Sequence, residues 1–329
     1  MASTATAFRP YSDSRLVLRK AGADYRSKSG YRRAGLAIAV IGVMGATVAL
    51  VANIVIGAII DDGGKEATVA IGDAWSFGTN TLAFSVVKIG IATILAGILI
   101  RLWMRVDSVK ESVATLKPPA PEGATQLSPG TIDTDYGKAT VTSEEPKPLF
   151  IHRMARFMWL PSLAMGAMLV PAGFITSLFQ AGEARSDPST AADLGAWTQG
   201  LQFLGEAFLL SGIAFILGTI LGSLRAGGGE VQHSLGVRVK TLKVPIAVWV
   251  FLALMMMGLM VGIAQFIGYI VLTTVDNPQS FAAISAWLGP FRELALGLIL
   301  SGIVLALATI GKVLGFQFSR IREIIATGA

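Results

Sequence analysis

The chain has 329 residues, 53% of them apolar and 15% charged, with a mean hydropathy of +0.64, which is too apolar a balance for a soluble enzyme of this size. Its formal net charge is +6, and it holds no cysteine, which excludes disulfides, thiolate zinc sites, iron–sulfur ligation and cysteine nucleophiles. The two histidines, His152 and His233, read as parts of polar connections, so a bis-histidine haem within the membrane has no axial ligands.

Residues 1–33 come first as a basic arm, with eight Lys or Arg against Asp13 and Asp24. The arm lacks an apolar centre and a small-residue cleavage site, so it is not read as a removable signal peptide. Its charge suits anionic lipid headgroups or an acidic neighbour, and no nucleic-acid-binding fold is evident. Six apolar stretches follow, at 34–60, 80–104, 157–180, 200–224, 244–275 and 290–316. Each is long enough for the roughly 20 residues that cross about 30 Å of hydrocarbon, which predicts an all-α integral membrane protein of six transmembrane helices. The connections are sorted by charge. Segments 1–33, 104–156, 225–243 and 317–329 hold 21 of the 27 basic residues against 11 acidic ones, whereas 61–79, 181–199 and 276–289 hold two basic and eight acidic. Lysine and arginine resist translocation, so both termini are expected on the cytoplasmic side of a bacterial cytoplasmic membrane, with three short acidic loops outside.

The even-numbered stretches align without gaps. Ala74-Trp75, Ala196-Trp197 and Ala286-Trp287 are each followed, fifteen residues after the tryptophan, by Gly90, Gly212 and Gly302. A weaker echo in the odd-numbered stretches is Met44-Gly45, Met165-Gly166 and Met257-Gly258. The pattern predicts one out-and-back hairpin used three times, over 34–116, 157–243 and 244–329, with 117–156 as a cytoplasmic linker and interfacial helix. Each unit starts and ends on the same side, so the repeats are parallel, and a pseudo-threefold arrangement about an axis along the membrane normal is the expectation.

Trp75, Trp197 and Trp287 stand where the chain re-enters the bilayer and read as headgroup-level anchors; Trp103, Trp159 and Trp249 read as a second belt at the opposite boundary. Gly90, Gly212, Gly302, Gly218 and Gly222 mark close helix packing, either within the chain or toward another subunit. Lys88 and Glu206 are the ionisable residues well inside the spans, with Glu293 and its neighbour Arg292 nearer the surface. Lys88 and Glu206 are thirteen and nine residues past their tryptophans, one helical turn apart in depth, which makes a salt bridge between repeats geometrically sensible. Arg101 and Lys312 sit at inner ends and snorkel, while Asn53 and Gln265 suit interhelical hydrogen bonds. The methionine run at 254–260 reads as interface filler rather than a Cu(I) site, since no cysteine or intramembrane histidine accompanies it.

Beyond a helical continuation to about Leu116, the segment Lys117–Pro148 is rich in Pro, Gly and Thr and too polar to form a core by itself. "RAGGGE" at 225–230 has no strand before it and reads as a flexible turn. Phosphate loops, zinc-protease motifs, nucleophile elbows and carboxylate–histidine pairs are missing, so no catalytic residue, cofactor or metal is expected. The expected function is a non-catalytic multi-pass subunit that scaffolds a larger membrane complex through other membrane protein subunits. An ion or small-solute channel using Lys88, Glu206 and Glu293 is the alternative; broken helices would favour it, with Pro161 and Pro171 the candidate break points.

Overall fold

The computed structural model of the protein describes residues 30–61, 66–116, 129–144, 146–147, 149–243 and 246–327. The basic arm up to residue 29 and the linker residues 117–128 lie outside the described residues. The helices are α1 (Gly30–Asp61), α2 (Glu66–Leu116), α3 (Phe150–Glu183), α4 (Pro188–Ser234), α5 (Ile246–Leu272) and α6 (Pro278–Thr327). All six are long and apolar enough to cross a bilayer, and the chain is a multi-pass integral membrane protein. At 51, 47 and 50 residues, α2, α4 and α6 run about 70–75 Å, more than twice the hydrocarbon thickness. We call the end of the bundle carrying residues 183–188 and 272–278 the acidic end, and the opposite end the basic end.

Consecutive helices pack as hairpins, α1 on α2, α3 on α4 and α5 on α6. The same contact recurs at each seam. A Cβ on Gly42 would meet the Ala83 carbonyl at 2.7 Å and the Val87 amide at 2.8 Å. One on Gly166 would meet the Gly205 carbonyl at 2.7 Å and the Leu209 amide at 2.8 Å, and one on Gly258 the Ala295 carbonyl at 2.8 Å and the Ile299 amide at 3.2 Å. The backbone atoms met in this way lie eight and twelve residues past Trp75, Trp197 and Trp287 respectively. In the first hairpin the matching residue is therefore Gly42, one turn away from the Met44-Gly45 echo. A Cβ on Gly45 would meet Ala83 less closely, its Cβ at 3.1 Å and its Cα at 3.8 Å. Glycine is needed here because backbones this close leave no room for a side chain.

Helix α4 is the hub. It packs on α3 and also touches α2, α5 and α6, and 83% of its most apolar stretch is buried, against 17% for α1, which packs on α2. Successive hairpins join by one scheme, α2 onto α3 and α4, then α4 onto α5 and α6. Comparable packing of α6 onto α1 or α2 is missing among the described residues. Among the described residues the three hairpins are thus joined through α4.

At the basic end the chain departs from an all-helical reading. Strands β1 (Gly130–Thr134), β2 (Gly137–Thr142) and β3 (Val239–Leu242) form an antiparallel sheet in the order β1-β2-β3. The two-residue turn at Asp135 and Tyr136 closes with Gly137 at φ +111°, a backbone region that favours glycine. The linker does not make a core alone; it borrows β3 and buries Ala139 and Val141, with Ala139 joining Leu221, Leu242, Val313 and Phe316 in a small apolar cluster. "RAGGGE", read as a turn, is helical, because α4 runs unbroken to Ser234. A Cβ on Gly228 would meet the Gln317 side chain at 2.2 Å and one on Gly229 would meet Pro146 at 2.4 Å. Packing of α6 and the linker at these positions outweighs the roughly 1 kcal/mol that each helical glycine costs. Helix α3 likewise runs continuously through Pro161 and Pro171, so neither breaks it.

Candidate functional site

The intramembrane charges converge on one carboxylate. Lys88 Nζ of α2 donates to Glu206 Oε1 of α4 at 2.5 Å, and Arg292 Nη2 of α6 donates to Glu206 Oε2 at 3.0 Å. One residue from each hairpin takes part. Glu206 has a side-chain exposure of 3%, Lys88 18% and Arg292 29%. Burying a lone carboxylate in hydrocarbon costs several kcal/mol, and only close, hydrogen-bonded cations offset it. Both oxygens of Glu206 are so occupied. The Arg292 guanidinium also lies 4.3 Å over the Phe203 ring, an attraction to the π face.

Arg292, which its place beside Glu293 puts nearer the surface, carries its signal in the register. Lys88, Glu206 and Arg292 are thirteen, nine and five residues past their tryptophans, steps of one helical turn on one face. Long side chains close the remaining difference in depth. Glu293 does not join them: its side chain is 76% exposed, and Arg292 Nη1 stands 3.7 Å from it. It borders a cavity of about 500 Å³ at the acidic end, between Gln199 and Phe203 of α4, Tyr269 of α5 and Ser285 and Arg292 of α6. Within that wall, Tyr269 donates to Gln199 Oε1 at 2.8 Å.

A second polar feature leads to Glu206 along α4. Gln202, one turn nearer the acidic end, donates through Nε2 to the Gly78 carbonyl of α2 at 3.3 Å, while its Oε1 is buried without a partner. Ser85 Oγ is also buried without a partner. It lies seven residues from Gly78, on the same face of α2, and three from Lys88.

The remaining predicted residues are placed as follows. Asn53 accepts from Ser76 Oγ at 2.9 Å across α1–α2, and Gln265 Nε2 donates to the Leu288 carbonyl at 3.0 Å across α5–α6. Gly90 faces Gly35 and Ala39 of α1, Gly212 faces Leu163 of α3 and Gly302 faces Phe251 of α5, so these three glycines serve seams within the chain. Gly218 lies against Ala155 and Phe251, and Gly222 against His152, which is buried in the first turn of α3 rather than in a polar connection. Trp75, Trp197 and Trp287 are 37%, 37% and 49% exposed. Trp103, read as a boundary anchor, donates to Ser223 Oγ of α4 at 2.9 Å and carries the Arg156 guanidinium 4.8 Å over its ring, so it also ties the first two hairpins together. Among the described residues no group of three or more His, Asp or Glu side chains is placed to hold a metal ion.

The chain matches no family model, and no curated protein or solved structure matches it.

Proposed function

We propose that the protein is a non-catalytic multi-pass subunit that stabilises a larger membrane complex, built by threefold use of one hairpin, with both termini cytoplasmic. The observation that carries this reading is the Glu206 junction. A carboxylate whose two oxygens are each held by a cation from a different hairpin fixes the hairpins to one another, and neither oxygen of Glu206 is left unpaired. The exposed face of α1 supports an assembly role: the helix rests on α2 while Val40, Ile41, Met44 and Ile54 expose more than half of their surface. The three long helices carry the fold far past the bilayer at the basic end, where other subunits are within reach. Other membrane protein subunits are the proposed partners, with anionic lipids along the basic arm.

The test is purification from native membranes in mild detergent followed by mass spectrometry. A fixed set of co-purifying subunits is the expected result. Recovery of a single species that conducts ions in liposomes overturns it.

One observation favours the alternative, an ion or small-solute path using Lys88, Glu206 and Glu293. The unpartnered Gln202 Oε1 and Ser85 Oγ lie one helical turn from Glu206 and Lys88 respectively, and buried polar atoms of this kind commonly bind water. Glu206→Gln separates the two readings: loss of flux with normal assembly marks a path, and loss of assembly marks the junction.

A further inference from the structure

We infer that the basic end carries a binding site for one anionic phospholipid, formed by Lys138, Lys243 and Lys312. The site is independent of the proposed subunit role. It is a cavity of about 380 Å³ between the β1–β2 turn, the end of β3, the start of α5 and the basic end of α6. Lys138 and Lys243 follow directly from the Ala139–Leu242 pair of the β2–β3 ladder, and the Lys243 amide donates to the Lys138 carbonyl at 2.8 Å, so the two lysines are cross-strand neighbours. Like charges opposite one another destabilise a sheet. A third cation joins them from α6: the Lys312 ammonium reaches the turn, 3.6 Å from where a Cβ on Gly137 would stand.

None of the three makes an ion pair among the described residues. Asp133 is the ladder partner of Lys138, yet it makes no ion pair with it. Three lysines gathered around one cavity without a carboxylate are mutually repulsive, and an anion bound between them relieves that repulsion. The rest of the wall identifies which anion. Leu242, Ile246 and Val313 are apolar, Ile246 is 80% exposed, and Trp249, one turn further along α5, is 55% exposed, as suits an indole at headgroup level. A ligand with a phosphate at the lysines and chains lying along Ile246 and α5 fits both halves of the wall, and basic pockets between transmembrane helices bind such headgroups.

The test uses the full-length protein in nanodiscs of phosphatidylglycerol or phosphatidylcholine, with retained lipid counted by native mass spectrometry after detergent extraction. One phosphatidylglycerol per chain is expected to persist, with no equivalent phosphatidylcholine, and millimolar inorganic phosphate is expected not to displace it. Each Lys→Gln change weakens retention about five-fold, and K138Q/K243Q/K312Q together roughly a hundred-fold. K138R/K243R/K312R keeps the lipid, and the single change K312Q, at an exposed position, gives a readout should the triple glutamine variant misfold. Equal retention of the two lipids, undiminished retention in K312Q and in the triple glutamine variant, or displacement by free phosphate overturns the inference.

Discussion

Two carboxylates in this protein each sit between two cations, and their surroundings make them different objects. Glu206 is held by Lys88 and Arg292 with 3% of its side chain exposed, deep in the spans. At the basic end, Lys240 Nζ is 2.5 Å from Glu323 Oε1 and Arg320 Nη1 is 2.8 Å from Glu323 Oε2, but the Glu323 side chain is 41% exposed. Solvent screens the more exposed second carboxylate far more than the first, so the same three charges act as a strong joint in one place and a modest clasp in the other. The Glu323 cluster has neutral support. Gln232 of α4 pairs with both backbone groups of Lys240 and accepts from Arg320 Nε at 3.2 Å, and so holds β3 to the helices without relying on charge.

The largest expected effect breaks the buried cluster. Glu206→Gln leaves Lys88 and Arg292 without their counter-charge and lowers stability by about 3–5 kcal/mol, read as a fall in unfolding midpoint in detergent. Replacing all three charges by methionine restores most of that loss, because no ion remains to be desolvated. If the triple variant is as unstable as Glu206→Gln, the lesion is packing and not charge.

Gly166→Ala, whose Cβ would meet the Gly205 carbonyl at 2.7 Å, costs about 1–3 kcal/mol by forcing α3 from α4. Gly297→Ala on α6 is the control. Nothing stands within 4 Å of its Cβ, and thermal melting is expected to stay level or rise slightly. Equal losses at the two positions would contradict the close seam.

Glu323→Gln should cost under about 1 kcal/mol and do so mainly at low salt, since exposed ion pairs are screened. An effect as large as that of Glu206→Gln, or one indifferent to salt, erases the distinction between the clusters.

The smallest effect lies at the acidic end. Asp187 caps α4 by accepting from the Ser189 and Thr190 amides, each at 3.1 Å, and from both hydroxyls. Those hydrogen bonds, the Ser189 hydroxyl foremost, hold its carboxyl down at about 2 from 3.8. A lowered carboxyl pKa stabilises the folded form fully above the unfolded value, and the contribution fades as pH falls from about 4 through 2. Protease nicking of the 183–188 connection should rise in that window, and Asp187→Asn should flatten the rise.

Much of the fold was legible because it depends on local properties. Hydropathy over windows of about twenty residues marks spans whatever their neighbours, and the tryptophan register located Gly90, Gly212 and Gly302 on the seams they serve. The glycines of "RAGGGE" misled because local propensity points to a turn, whereas Gln317 and Pro146, distant in sequence, need the space those glycines leave. The polar linker misled for a similar reason, since its third strand comes from residues 239–242.

Composition, charge sorting and spacing alone determined that six helices lie in a membrane and that Lys88 and Glu206 stand at compatible depths. Only the tertiary structure decided that Arg292 completes the junction and that α4 is the hub. A helix carries its depth and its faces in its own sequence, but which neighbour meets each face is settled by packing among all six at once.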